Sequence, residues 1–124
     1  MTKNLIFYVK EYRNELEKNK GFNYLLNGEM YIDYRVNDKN VEEIIINENT
    51  DSITIKFKEN DKLYEDRIEK GITSLRVLYS RYGEHYIHSI IDNVEYFDVV
   101  DKNNIFYIKI KVIGEKERIY CYEK

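Results

Sequence analysis

Hydrophobic positions change their period along the chain, and each change predicts an element. Leu5, Tyr8, Val9, Tyr12 and Leu16 recur at helical spacing, with Thr2 or Asn4 as cap and the basic "KNKG" ending in Gly21 as stop, which predicts a helix over 4–19. Its other face mixes signs (Lys10, Glu11, Arg13, Glu17, Lys18), the pattern of a solvated surface. Next, "FNYLLNGEMYIDYRV" sets Asn27-Gly28 between two runs rich in β-formers, the preferred sequence of a two-residue hairpin loop. In the second strand of that hairpin, Met30, Ile32, Tyr34 and Val36 alternate with Tyr31, Asp33 and Arg35. The first strand fits less well, because Phe22, Tyr24 and Leu26 then fall on the wetter face.

From residue 41 onward, short runs follow one another at the spacing of an antiparallel meander. "VEEIII", "ITIKFK" and "LYEDRI" are separated by the turn-like "NENTDS" and "ENDK". Ile53, Ile55 and Phe57 alternate with Thr54, Lys56 and Lys58, so one face is core and one is wet. Leu75, Leu78, Tyr79 and Tyr82 share a helical stripe between Thr73 or Ser74 and Gly83, predicting a second short helix over 73–82. "HYIHSIIDNV" suits either period, and its β-branched content favours a strand. "EYFDVV", "IFYIKIKVI" and "ERIYCYE" read as three antiparallel strands, with Phe106, Ile108, Ile110 and Val112 inward and Lys109 and Lys111 outward. The expected fold is α+β: one domain over 1–124, an N-terminal helix packed on a largely antiparallel meander of six to eight strands, and the second helix near 73–82.

Composition narrows this picture. At 124 residues with 43% hydrophobic content, the chain is long enough for one core. It has no Ala, Gln, Pro or Trp and abounds in Ile, Asn, Lys, Glu and Tyr, the residues that A/T-rich codons supply. Part of its 13 Tyr is therefore background, expected from an A/T-rich bacterium or its mobile elements. Without Pro, exposed sheet edges must be guarded by charge, as in "KIK" and "EKER", or by self-association. The net charge of −3 argues against binding held by many phosphate contacts. A single cysteine, Cys121, excludes an internal disulfide and a thiolate cage, and its alternation with Tyr120 and Tyr122 suggests a small core residue. No stretch reads as a signal peptide or reaches 18 apolar residues, so the expected location is cytoplasmic, with no membrane partner.

Several chemistries are absent. The glycines stand singly at turn positions, so there is no P-loop and no dinucleotide fingerprint, and G-x-S-x-G does not occur. No Asp or Glu stands two residues before a Lys, which removes the acid-x-lysine pair of the common metal-dependent nuclease core. His85 and His88, with Glu84 and Asp92 nearby, match no zinc spacing, and no metal or cofactor is expected. Arg81, His85 and His88 form the one constellation suited to RNA cleavage, with histidine as acid or base and arginine on the phosphate. The spacing from Arg81 to His88 resembles the arginine-to-histidine motif of the HEPN ribonucleases. That likeness covers eight residues and implies an all-helical fold, which the strand-rich remainder of the chain departs from.

The other constellation is a surface. Tyr31, Asp33 and Arg35, then Tyr64, Glu65 and Asp66, then Tyr120 and Tyr122 occupy positions expected to face outward, and tyrosine beside carboxylate suits a protein interface. The function expected from these features is a small non-enzymatic inhibitor from a phage or mobile element, of anti-CRISPR or other anti-defence type, with no catalytic residues. Its partner would be a nucleic-acid-handling enzyme, bound through carboxylates standing where phosphates sit, rather than nucleic acid itself. The alternatives are the metal-independent ribonuclease and an immunity-type or homo-oligomeric structural protein, a homodimer among them.

Overall fold

The computed structural model describes residues 28–124. The helix expected over 4–19 and the run 22–26 lie outside the described residues. Among the described residues one helix, α1 (Gly28–Val36), precedes eight strands: β1 (Val41–Asn47), β2 (Ser52–Glu59), β3 (Lys62–Lys70), β4 (Leu75–Arg81), β5 (Glu84–Ile91), β6 (Val94–Asp101), β7 (Ile105–Val112) and β8 (Arg118–Glu123). They form two antiparallel meanders, a five-stranded sheet in the order β1-β2-β3-β4-β5 and a three-stranded sheet in the order β6-β7-β8.

Alternation sets the inner face of each sheet. Ile53 opposes Ile68, which opposes Val77, and all three are buried. In the smaller sheet Val99 opposes Ile108, which opposes Tyr120, again all buried. Both faces and two helix residues, Ile32 and Val36, join one core. Side chains such as Phe57, Phe106, Ile55 and Leu75 are almost wholly enclosed, and each contributes roughly 1.5–3 kcal/mol by leaving water.

Turn chemistry explains the short connections. Asn60 and Asp61 both take positive φ (53° and 63°), the combination a two-residue hairpin loop needs, and Asn and Asp tolerate it. Tyr82 and Gly83 do the same at 55° and 79°. A tyrosine in that region is uncommon, and here its ring stands 90% exposed at the tip of the turn.

Four expectations are corrected. Asn27-Gly28 does not make a hairpin, because Gly28 opens α1 and the presumed strand 30–36 is helical. Helical spacing sends Glu29 with Asp33, Tyr31 with Arg35, and Ile32 with Val36 to three different surfaces at once. Second, residues 75–81 form β4 rather than a helix, since Leu75 and Val77 are buried by alternation, β3 and β5 flank them, and Gly83 belongs to a hairpin loop. Third, "KIK" lies on β7, the central strand of its sheet, and guards no edge. Fourth, Cys121 is half-buried on the outer face opposite Tyr107, while Tyr120 and Tyr122 point into the core. The strand preference for "HYIHSII", the first meander and the three-stranded tail agree with the structure. Among the described residues no helix is long and apolar enough to cross a membrane.

Candidate functional site

The inner face of β3 carries Asp66 in the row Ile55, Asp66, Tyr79, where an apolar residue would be expected. Asp66 is 1% exposed, and a carboxylate removed from water to that extent is costly unless it is paired and hydrogen-bonded. It is: the Tyr31 hydroxyl donates to it at 2.8 Å, Arg35 Nε lies 3.1 Å away, and an Arg81 Nη donates at 3.2 Å. Aromatic rings cover both cations. The Arg35 guanidinium sits 4.0 Å from the Phe57 ring centre, and that of Arg81 lies 4.5 Å from Tyr64 and 5.0 Å from Tyr79. Burial raises the Tyr31 phenol well above its ordinary pKa, and the Asp66 charge adds to the effect, so Tyr31 remains a donor. Burial works against the charge on Arg35, but Tyr31 and Asp66 together outweigh it, and its pKa is raised. Asp38 makes a further contact with Arg35 at 3.5 Å.

On its other side α1 meets the smaller sheet. Glu29 is buried and accepts hydrogen bonds from Arg118 and Tyr120. Burial raises its pKa, opposed by Arg118 and reinforced by the charge of Glu115. Asp33 is fully buried, and Asn37 Nδ2 donates to its Oδ1 at 3.0 Å. Burial also pushes the Tyr122 phenol well up, with the charges of Asp33 and Glu29 contributing. Both clusters bind the helix to a sheet. In each, the carboxylate faces donors that the protein itself supplies.

These positions revise the expected surface. Tyr31, Arg35, Tyr64 and Asp66 do converge, but around a buried charge rather than on an outward face. Asp33, Tyr120 and Tyr122 line the other cluster and are buried, and only Glu65 among the eight is exposed. The physical reason is a change of period and a change of face: residues 29–36 are helical, and β3 and β8 turn their even-numbered side chains inward.

Arg81, His85 and His88 do not form one site. His85 lies on the outer face, where Ser80 Oγ is 2.7 Å from its Nδ1, whereas Arg81 and His88 lie on the inner face with Asp66 and Tyr79. Strand alternation separates positions 85 and 88. Among the described residues no three His, Cys, Asp or Glu side chains are grouped as metal ligands would be.

What remains open is the outer face of the larger sheet. A shallow groove of about 650 Å³ crosses β3, β4 and β5, lined by Leu63, Glu65, Arg67, Leu78, His85 and Ile87. Leu63 and Ile87 are 59% and 58% exposed, an unusual allowance for large aliphatic side chains on one sheet face. The register aligns Ile45, Thr54, Arg67, Leu78 and Ile87 in a row across all five strands. Sequence reading passed over this row because each member lies on a different strand. Comparison with known proteins gives no matching family model, no matching curated protein and no matching solved structure.

Proposed function

We propose that this chain is a non-catalytic protein-binding inhibitor whose partner seats on the outer face of the five-stranded sheet. The observation that carries this reading is the groove across β3–β5, with Leu63, Leu78 and Ile87 as apolar contacts and no covering element among the described residues. Its rim indicates the kind of partner. Glu65 lines the groove, and Glu59 and Asp61 stand exposed at the neighbouring Asn60-Asp61 turn, while Lys58 and Lys56 pair with Leu63 and Glu65 on the outer face, so the rim carries both signs. Within this mixed surface Glu59, Asp61 and Glu65 are the groups that suit a basic, nucleic-acid-binding site on an enzyme, where carboxylates occupy phosphate positions and steer the encounter. An anti-defence protein of a phage or mobile element, of anti-CRISPR type, fits that chemistry and the A/T-rich composition. The buried clusters around Asp66 and Glu29 keep the sheet rigid beneath the contact surface.

The test is capture from a host lysate by the intact chain, with and without nuclease treatment, beside a variant combining Leu63→Asp and Ile87→Asp and a second combining Glu59→Lys, Asp61→Lys and Glu65→Lys. The expected result is a nucleic-acid-handling enzyme retained after nuclease treatment, released by added DNA or RNA, and lost from both variants. Retention that requires nucleic acid, or that persists undiminished in both variants, refutes the reading.

A further inference from the structure

Sheet edges present unpaired backbone groups to other chains, and natural proteins guard them with bulges, charge or covering groups. The described fold has four edge strands: β1 and β5 in the larger sheet, β6 and β8 in the smaller. β1 has a bulge between Val41 and Glu43 and carries Glu42 and Glu43. β6 has a bulge between Val94 and Tyr96, and two of its amides are taken by side chains of the β1–β2 turn: Val99 N–H donates to Asp51 at 3.1 Å and Asp101 N–H to Glu48 at 3.3 Å. β8 is short and has Arg118 and Glu123 at its ends. β5 has its irregularity only beyond Ser89, opposite Leu75 and Arg76, and α1 lies against the strand. Between Glu84 and Ser89 it has no bulge and no lysine or arginine, and Ile87 stands exposed in its middle. Among the described residues no hydrogen bond reaches this stretch of backbone from the open side.

The direction of its backbone groups follows from the turn. Arg81 and Glu84 close the two-residue Tyr82-Gly83 loop and exchange both hydrogen bonds, and along an antiparallel pair bonded and non-bonded positions alternate. Tyr86 and His88 therefore bond to β4. The N–H and C=O groups of His85, Ile87 and Ser89 point to the open edge.

We propose that β5 pairs antiparallel with β5 of a second copy about a two-fold axis at Tyr86, joining two five-stranded sheets into one continuous sheet. Residues 84–88 are their own complement in this register. His85 and Ile87 of one copy meet Ile87 and His85 of the other as hydrogen-bonded pairs, using the outward groups derived above. Glu84 meets His88 twice at non-bonded pairs, where side chains approach most closely, so acid faces imidazole on both sides of the axis. Tyr86 meets its own counterpart, extending the stack it already makes on Tyr79 (5.3 Å between centres, 21° between planes). The Tyr86 hydroxyl donates to the Glu84 carboxylate at 2.7 Å, which holds that acid on the face shared with His88. Among the other described edges, β1 and β6 would set carboxylates, bulged backbone or occupied amides against their copies, and β8 is the shortest strand. The dimer does not rest on the proposed inhibitor activity, although His85 and Ile87 belong to both surfaces, and it would place two outer-face grooves side by side.

The experiment is sedimentation equilibrium of the full chain from micromolar to millimolar concentration, with Glu84→Lys, His88→Glu and an equimolar mixture of the two variants. All substituted side chains are exposed, and circular dichroism checks that each variant folds. The wild type is expected to dimerise weakly, as small interfaces do, and each variant alone to associate at least tenfold less tightly. The mixture should recover association as a heterodimer, in which the introduced lysine faces the introduced glutamate at one pair and native His88 faces native Glu84 at the other. Amide exchange on the wild type provides a second readout: His85 and Ile87 should slow with rising concentration, while Tyr86 and His88, already bonded to β4, should not change. A wild type monomeric throughout, single variants that dimerise as tightly as the wild type, a mixture that stays monomeric, or unchanged exchange at Ile87 would each overturn the proposal.

Discussion

Asp66 and Glu29 are two carboxylates buried against opposite sides of one short helix, and they are held differently. Asp66 faces two guanidiniums, both shielded by aromatic rings, and one phenol. Glu29 faces the Tyr120 phenol and the guanidinium of Arg118, whose side chain is 40% exposed and also shared with Glu115. Burial raises the Glu29 pKa because a half-open cation offsets only part of the desolvation. The contrast shows that a carboxylate's burial says little alone; the cations facing it, and how well they are kept from water, set what the anion costs.

The largest way to break this contrast is Asp66→Ala, which removes the carboxylate shared by Arg35 and Arg81 and leaves only Asp38, at 3.5 Å from Arg35, to offset the two cations. A loss of about 3–5 kcal/mol in urea unfolding is expected. Glu29→Ala, with a cation free to turn to water, should cost roughly half as much; equal losses would mean that cation shielding does not matter. Next in size is the arginine's shape. Arg81→Lys loses the planar stack on Tyr64 and Tyr79 and is expected to cost about 1–2 kcal/mol, whereas Arg118→Lys should stay within about 0.5 kcal/mol. An Arg81→Lys chain as stable as Arg118→Lys would assign Arg81 a charge role only. Tyr31→Phe and Tyr120→Phe each remove one hydrogen bond to a carboxylate and should each cost about 1–2 kcal/mol, read as a shift in the unfolding midpoint.

The smallest effect is in pH. Because the folded Glu29 pKa lies above the unfolded value near 4.5, the folded chain holds this proton more tightly than the unfolded one. Its stabilising contribution is complete below the unfolded pKa and is lost as pH rises through the folded pKa. Glu29→Gln should therefore flatten the decline in stability upward from about pH 4.5, measured by thermal melts of both proteins across that range. A slope unchanged by the substitution would place the titration elsewhere.

Much of the sheet was legible in the chain. Ile53, Ile55 and Phe57, or Phe106, Ile108 and Ile110, alternate without ambiguity, and the turn residues between runs mark the connections. Legibility failed where two periods fitted the same residues. Leu75, Leu78, Tyr79 and Tyr82 make a helical stripe, yet Leu75, Val77 and Tyr79 make an inner strand face, and neighbouring β3 and β5 decide between them. Residues 29–36 are rich in β-formers and still helical, because tertiary packing of three (i, i+4) pairs outweighs a weak local preference. The polar clusters combine residues such as Glu29 and Arg118, or Tyr31 and Asp66, whose meeting depends on sheet order, a property no local pattern encodes. The one feature that hinted at them was charge at alternating core positions: Asp66 in "LYEDRI" stands where an aliphatic side chain would continue the inner face.

The contacts of α1 also set a timetable for folding. Glu29 is separated from Arg118 by 89 residues and from Tyr120 by 91, whereas Tyr31 is 35 from Asp66, so the helix is synthesised early and its Glu29 side is fastened last. At roughly 5–20 residues per second, a ribosome takes about 5–20 s to supply the last of these partners. During that interval the five-stranded meander, whose contacts lie between adjacent hairpins, is free to form and to dock Tyr31 and Arg35 on Asp66, while Glu29 waits for the second sheet. Assembly of this protein is thus expected to be rate-limited by closure of its most distant contacts, with the short helix as the latch.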